Sequence, residues 1–207
     1  VERVMNISTD KAVQPVNLYG AAKMVAEKVF VQSNSYAGGK TKFSCSRYGN
    51  VLASSGSIIP LFQEQSKNGE ITITHEDMTR FWITLEQGVH FVIGCIERMA
   101  GGEIFIPKIP SMKVVDLASV IAPGVRTRII GIRPGEKLHE VLLIAEEARH
   151  AKEFDAYFII EPEFNFWDKN NGSQGKMLPQ GFSYASNTNT DWITKERMQE
   201  MLKALSK

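Results

Sequence analysis

Cysteine is scarce in this 207-residue chain: Cys45 and Cys95 stand alone, in a predicted strand and a predicted helix. Two isolated thiols rule out a disulfide framework and point to a reducing compartment. Surplus charge is also missing, since 24 Lys and Arg face 23 Asp and Glu for a formal net charge of +1. No long block of like charge occurs, so the electrostatic footprint of a protein that binds nucleic acid or an anionic membrane is excluded. Any anionic ligand must be caught locally. Long apolar runs are absent: stretches such as Phe91 to Ile96 are far too short to span a bilayer, and no signal peptide is visible. The reading is a cytoplasmic protein. His75, His90, His139 and His150 show no ligand spacing with either cysteine, so no metal is expected.

What is present is a length that suits one domain or one and a half. The apolar run from Val1 to Ile7 stops at Ser8-Thr9-Asp10, which predicts a buried parallel strand with polar groups at its carboxyl end. Open α/β sheets bind ligands at that edge. A helix is predicted from Leu18 to Tyr36 with Asn17 as cap, then a strand from Thr41 to Tyr48, making one βαβ crossover. Further helices are predicted over Ile58–Lys67, Leu85–Met99 with an apolar face of Val89, Val92, Ile93 and Ile96, Met112–Ile121, Leu138–Leu143 and Thr194–Leu205. Short strands are predicted over Glu70–Thr74, Thr79–Thr84, Glu103–Pro107, Thr127–Ile132 and Phe154–Ile160. Glu163 to Asn189 lacks periodicity and reads as irregular.

The densest chemistry is local. Thr9, Asp10, Lys11, Tyr19 and Lys23 place a hydroxyl, an acid, an amine, a phenol and a second amine close together in sequence. Tyr19 and Lys23 are i and i+4 neighbours on one helical face. A free phenol titrates near 10 and is a poor base at neutral pH unless a cation stabilises the phenolate, and Lys23 is placed to do so. A Thr-Asp pair at a strand end, a Pro-containing loop and Tyr-x-x-x-Lys opening a helix together resemble the extended short-chain dehydrogenase/reductase family.

Three other segments carry polar groups. Arg47-Tyr48-Gly49-Asn50-Val51 runs on through Ser54-Ser55-Gly56-Ser57 into a helix, a pattern that suits a phosphorylated ligand and is also ordinary turn chemistry. The resemblance implies substrate contacts for Asn50 and Ser57 and a place beside the nicotinamide for Val51. In Thr79-Arg80-Phe81-Trp82-Ile83-Thr84 an arginine interrupts an apolar strand; it is either a surface arginine or, as the resemblance implies, a partner for pyrophosphate oxygens. Phe81 and Trp82 read as core. Arg133-Pro134-Gly135-Glu136-Lys137 is a rigid turn, either solvated or, by the resemblance, contacting phosphate through Arg133 and ribose through Glu136.

The sharper resemblance is to inverting UDP-N-acetylglucosamine 4,6-dehydratases, through STDKAVQPVNLYGAAK, RYGNVLASSGSIIPLF, TRFWITLEQGV, GGEIFIPKIPSMKVVDLA and IIGIRPGEKLHE. These cover residue 8 to about 141; beyond Ala151 only Ser186 to Asp191 matches well. The fold implied is the C-terminal part of a Rossmann-like doubly wound parallel sheet plus a smaller α/β substrate-binding domain. Residues 1–57 would belong to the dinucleotide-binding part, 58–160 to the nucleotide-sugar part with some strands returning to the main sheet, and 161–207 to an irregular extension with a final helix.

The resemblance implies NADP as cofactor, held in part by Tyr19, Lys23 and Val51, a UDP-sugar substrate and a homo-oligomer. Thr9 would bond the C4 oxygen, Asp10 protonate the departing C6 hydroxyl, Tyr19 take the C4 hydroxyl proton, and Lys23 support it. Retaining relatives have Asp-Glu where this chain has Asp10-Lys11, so Lys11 would be the C5 base, unless it serves only as a salt bridge to Asp10. No Gly-x-Gly-x-x-Gly is present. The Gly-rich half is therefore expected ahead of Val1, and the chain alone is expected to be inactive. Other readings are a nucleotide-sugar 4-epimerase or reductase, and a non-catalytic domain that binds substrate or a partner.

Overall fold

The computed structural model describes residues 1–54, 56–163 and 174–205. Strand β1 spans Arg3–Thr9, a 3-10 turn Asp10–Ala12, helix α1 Leu18–Ser33, β2 Lys42–Tyr48 and β3 Asn50–Val51. Next come α2 Ile58–Lys67, β4 Glu70–Ile73, β5 Thr79–Ile83, α3 Leu85–Arg98, β6 Ile104–Pro107, β7 Ser111–Lys113 and α4 Val114–Ile121. The order then runs through β8 Arg126–Ile129, β9 Val141–Leu143, α5 Ala145–Ala148, β10 Ala151–Glu153 and β11 Tyr157–Ile160. It closes with β12 Lys176–Met177, β13 Tyr184–Ala185 and α6 Lys195–Leu205. Among the described residues no helix is long and apolar enough to cross a membrane.

Two compact units interleave along the chain, whereas the sequence reading divides it at 57 and 160. The first comprises Val1–Tyr48, Glu86–Lys108 and Val141–Tyr184. Its sheet has the order β1-β2-β6-β11-β10-β12. β1 and β2 run parallel from Arg3↔Lys42 to Thr9↔Tyr48, a pairing that needs the crossover α1 provides. β2 continues parallel to β6, but β6, β11, β10 and β12 are mutually antiparallel. The parallel arrangement expected from the sequence thus holds for the three strands nearest the polar strand end. Cys95, Met99, Phe105 and Ile159 form its apolar cluster.

Helix α3 lies one residue out of the predicted phase. Gly88, Cys95 and the following Met99 are buried, whereas Val89 and Ile93 of the predicted face are exposed. With Gly88 on the inner side, a helical period carries Cys95 and Met99 inward.

The second unit comprises Gly49–Leu85, Ile109–Glu140 and Ala185–Lys207. β3, β5 and β7 form a sheet in that order, with Asn50↔Trp82 parallel and Thr79↔Lys113 antiparallel. β4 and β8 pair in parallel. Trp82 packs with Leu52, Ile59, Met112, Leu117 and Ile193, while Phe62, Ile71, Ile73 and Val114 form a neighbouring cluster. Phe81 and Trp82 are core residues. Thr194 accepts a hydrogen bond from Arg197 N at 3.2 Å and caps α6.

The helix predicted over Leu138–Leu143 is absent, and Val141–Leu143 is a strand. The carbonyl of Leu138 is taken by Thr79 N at 3.2 Å and that of Glu140 by Ser186 N at 2.8 Å. Acceptors committed to other segments cannot support helical i to i−4 bonds. Likewise Met112 and Lys113 of the predicted Met112–Ile121 helix belong to strand β7, paired with β5, and the helix begins at Val114. Of the predicted irregular stretch, residues 164–173 lie outside the described residues, and the rest includes β12 and β13.

Candidate active site

The carboxyl end of β1 in the first unit gathers three of the sequence-predicted groups. Thr9 Oγ1 donates to Asp10 Oδ1 at 2.8 Å and accepts from Lys11 N at 3.4 Å, so the hydroxyl fixes both the carboxylate and the turn. Lys11 Nζ donates to the same Oδ1 at 3.0 Å. The salt bridge considered for Lys11 is therefore formed, with Lys11 partly exposed and Asp10 fully buried. The other carboxylate oxygen, Asp10 Oδ2, is buried without a partner among the described residues. Leaving a buried acceptor unmet costs on the order of 1–3 kcal/mol, which a ligand hydroxyl at that oxygen would recover.

Helix α1 begins directly after this turn. Asn17 Oδ1 accepts from Gly20 N at 2.8 Å and caps it. Gly20 lies so close to the 3-10 turn that a Cβ there would overlap the Lys11 carbonyl oxygen. Glycine is thus required by the close approach of helix and turn. Tyr19 presents its ring to solvent at 55% exposure, and Lys23 Nζ donates to Ile7 O of β1 at 3.0 Å. The phenol thus stands on an accessible face of the helix.

Arg47, which the sequence reading assigned to no role, is the most enclosed cation of this unit. Its Nε and Nη2 meet the Glu27 carboxylate at 3.0 and 2.6 Å. Nη1 and Nη2 each meet Glu147 at 3.0 Å, and Nη1 also donates to Leu142 O at 2.8 Å. Burial by itself disfavours the charge; Glu27 and then Glu147 more than offset that and hold the guanidinium ionised. The signal for this residue was available in part: a lone arginine inside the strand Lys42–Tyr48, and a glutamate four residues beyond Lys23 on the same helical face.

The second unit holds the remaining residues. Asn50 lies on β3, and its Oδ1 is buried without a partner among the described residues. Val51 follows it, paired with Ile83. Ser57 stands at the N-cap of α2 yet makes no side-chain capping bond, and its Oγ is likewise buried and unmet. A hydroxyl at a helix amino end that leaves the cap unmade is placed to meet an anion. Ser55 lies outside the described residues.

Arg80 turns its guanidinium onto backbone. Nη1 donates to Thr79 O at 2.7 Å and Leu138 O at 3.1 Å, Nη2 to Lys137 O at 2.9 Å, and Nε lies 3.8 Å from Glu140. It therefore braces the segment that follows the Arg133–Glu136 turn. Within that turn Arg133 Nη1 lies 3.8 Å from Glu136 Oε1, and both side chains remain partly accessible.

The sequence profile of a family described as polysaccharide biosynthesis protein matches residues 1–162. The chain belongs to this family. It is 47% identical over 212 residues to a Campylobacter jejuni protein named UDP-N-acetylglucosamine 4,6-dehydratase (inverting), covering 98% of this chain and 64% of that one. Among solved structures, Pen from Bacillus thuringiensis superposes with a TM-score of 0.86 at 32% identity, covering 100% of this chain and 63% of its own. DesIV, a dTDP-glucose 4,6-dehydratase from Streptomyces venezuelae solved with NAD bound, superposes with a TM-score of 0.58 at 18% identity over 66% of this chain and 49% of its own. That likeness identifies the fold as of the Rossmann type. The family member described here thus spans just under two thirds of the length of its Campylobacter and Bacillus relatives.

Proposed function

We propose that this chain carries the acid–base and nucleotide-binding groups of a nucleotide-sugar dehydratase that converts UDP-N-acetylglucosamine to a UDP-4-keto-6-deoxy sugar with inversion at C5. The observation that carries the reading is Asp10. Its Oδ1 is held by Thr9 and Lys11, and its Oδ2 is buried and unmet at the carboxyl end of β1.

A lysine that serves as a base must first lose its proton. Transfer from Lys11 Nζ to the Asp10 carboxylate 3.0 Å away leaves a neutral amine beside a carboxylic acid. Those are the two forms the elimination needs. Tyr19 Oη takes the proton of the C4 hydroxyl, with the Lys23 ammonium supporting the phenolate and Thr9 Oγ1 bonding the C4 oxygen. Bound NADP supplies the hydride acceptor and donor, and Tyr19, Lys23 and Val51 are the residues of this chain that would hold it.

The C4 ketone makes the C5 hydrogen acidic. Lys11 Nζ removes it as Asp10 gives its proton to the C6 hydroxyl, water leaves, and the ammonium and carboxylate are restored. With NADP bound, a hydride would return to C6, and the Lys11 ammonium would give its proton to C5 on the opposite face, which would complete the inversion. Asn50, Ser57 and Arg133 serve the phosphates and sugar, Glu136 the ribose, and Arg80 the pyrophosphate side through the segment it braces. The reading includes a homo-oligomeric assembly.

The test incubates the product of the complete reading frame with UDP-N-acetylglucosamine and NADP in deuterated water. A 4-keto-6-deoxy product with deuterium at C5 and inverted configuration is expected. A 4-epimer with no ketone overturns the dehydratase reading.

A further inference from the structure

Helix α1 is unusual in what holds it. Its buried positions are Gly20 and Glu27, with no buried apolar side chain. Val25 and Val29 are more than half exposed. Beside the helix opens a cleft of about 590 Å³, lined by Val13, Gln14, Lys28, Arg47 and His150 among others, so packing does not seat this flank. Besides the edge contact of Phe30 with Phe43 near the carboxyl end and the seat of Gly20 on the turn, the ties of the helix are polar. Lys23 Nζ bonds Ile7 O of β1 at 3.0 Å, and the Glu27 carboxylate takes the two-pronged grip of Arg47 on β2.

Tyr19, Lys23 and Glu27 recur every fourth residue and share one face of the helix. The rotation and axial position that let Glu27 meet Arg47 are therefore the ones that put Lys23 on Ile7 and Tyr19 next to the Asp10 turn. Arg47 in turn cannot drift. Every N–H of its guanidinium is engaged, and it is 2% exposed. A buried ion pair is a weak source of stability, because desolvation of both charges offsets most of their attraction. Its fixed geometry is what an apolar contact would not supply.

We propose that Arg47 is a positioning residue for the proton-transfer pair Tyr19 and Lys23, acting through Glu27. The inference rests on the reading that those two side chains take the C4 hydroxyl proton. Lysine cannot reproduce the planar fork, so Arg47→Lys keeps the charge and releases the helix.

The test measures Arg47→Lys, Glu27→Gln and Glu147→Gln in the product of the complete reading frame, below the melting temperature of each. For the first two, kcat falls tenfold to a hundredfold per folded molecule, KM for the UDP-sugar stays within twofold, and a deuterium isotope effect from C4 rises as hydride removal becomes limiting. Glu147→Gln leaves the Glu27 grip in place and changes kcat less than threefold. Unchanged kcat and isotope effect in Glu27→Gln, with only a lowered melting temperature, overturn the proposal; so does a loss in Glu147→Gln equal to that in Glu27→Gln.

A second readout needs no turnover. The carbonyl carbon-13 shift of Ile7, which senses the bond from Lys23, moves in Glu27→Gln toward its value in Lys23→Met. An unmoved shift overturns the proposal even in an active enzyme. A wild-type protein that forms no ketone while this shift moves overturns the reaction and leaves the positioning geometry supported.

Discussion

Gly20 rests against the carbonyl oxygen of Lys11, with no space between them for a methyl group. The amino end of the Tyr19 helix and the turn of the acid–base pair are thereby fixed to each other by contact. Gly20→Ala is expected to push them apart, lowering stability by about 1–3 kcal/mol as an overpacked site does. Activity is expected to drop by more than the unfolded fraction explains. Urea denaturation alongside turnover at a temperature where the variant is folded checks both; full activity in the folded variant contradicts the close coupling.

In the proposed reaction Asp10 and Lys11 divide the elimination between them. Lys11→Met is expected to lower turnover at least a hundredfold, the usual scale for loss of a general base, and to abolish deuterium entry at C5. Asp10→Asn keeps the shape but cannot give a proton to the C6 hydroxyl. It also cannot take the Lys11 proton, so it is expected to slow water loss to a similar degree and to suppress C5 exchange as well. Mass spectrometry of recovered substrate checks both variants; deuterium still entering C5 in either one contradicts the coupled pair.

Arg133 and Glu136 lie in one turn but are expected to read different parts of the nucleotide. Arg133→Ala should weaken UDP binding about tenfold, some 1.4 kcal/mol, and leave uridine within twofold. Glu136→Gln should weaken both ligands alike. Calorimetry with UDP and uridine tests this directly; equal losses for both ligands in Arg133→Ala would show that Arg133 does not meet phosphate.

His139 makes stability depend on mild acid. Thr79 Oγ1 lies 2.9 Å from its Nδ1 and 2.6 Å from Ser186 Oγ, joining three segments. Burial chiefly, and then Arg80, hold this histidine below its ordinary value of 6.5, with Asp77 opposing and His75 and Lys113 adding small contributions. Below pH 6.5 the unfolded chain takes up a proton that the folded chain resists. Stability from this group is therefore fully present above that pH and is lost as pH falls through the folded value. The urea midpoint of the wild type should decline from pH 7 to pH 5 more steeply than that of His139→Gln. Parallel declines would remove His139 from the account.

Much of the first unit was legible because its signals are local. The strand end at Thr9, the cap at Asn17 and the helix start at Leu18 depend on neighbouring residues, and the structure has each of them. The misplaced face of α3 and the strand at Val141–Leu143 were not legible, because apolar spacing does not say which side the sheet lies on or whose carbonyls are already taken. Asn50 and Ser57 could be named from the family resemblance, but the buried state of their oxygens, unmet among the described residues, could not.

The sequence by itself determined the candidate reactive set. Thr9, Asp10 and Lys11 are consecutive, and a helical period places Tyr19 and Lys23 on one face whatever the surrounding structure. Only the tertiary structure decided how that helix is held. The Arg47–Glu27 grip joins the crossover helix to the strand that follows it, and the Gly20 contact depends on where the turn brings the Lys11 carbonyl. Such contacts depend on how the crossover packs back onto the sheet, and no periodicity in the chain encodes them.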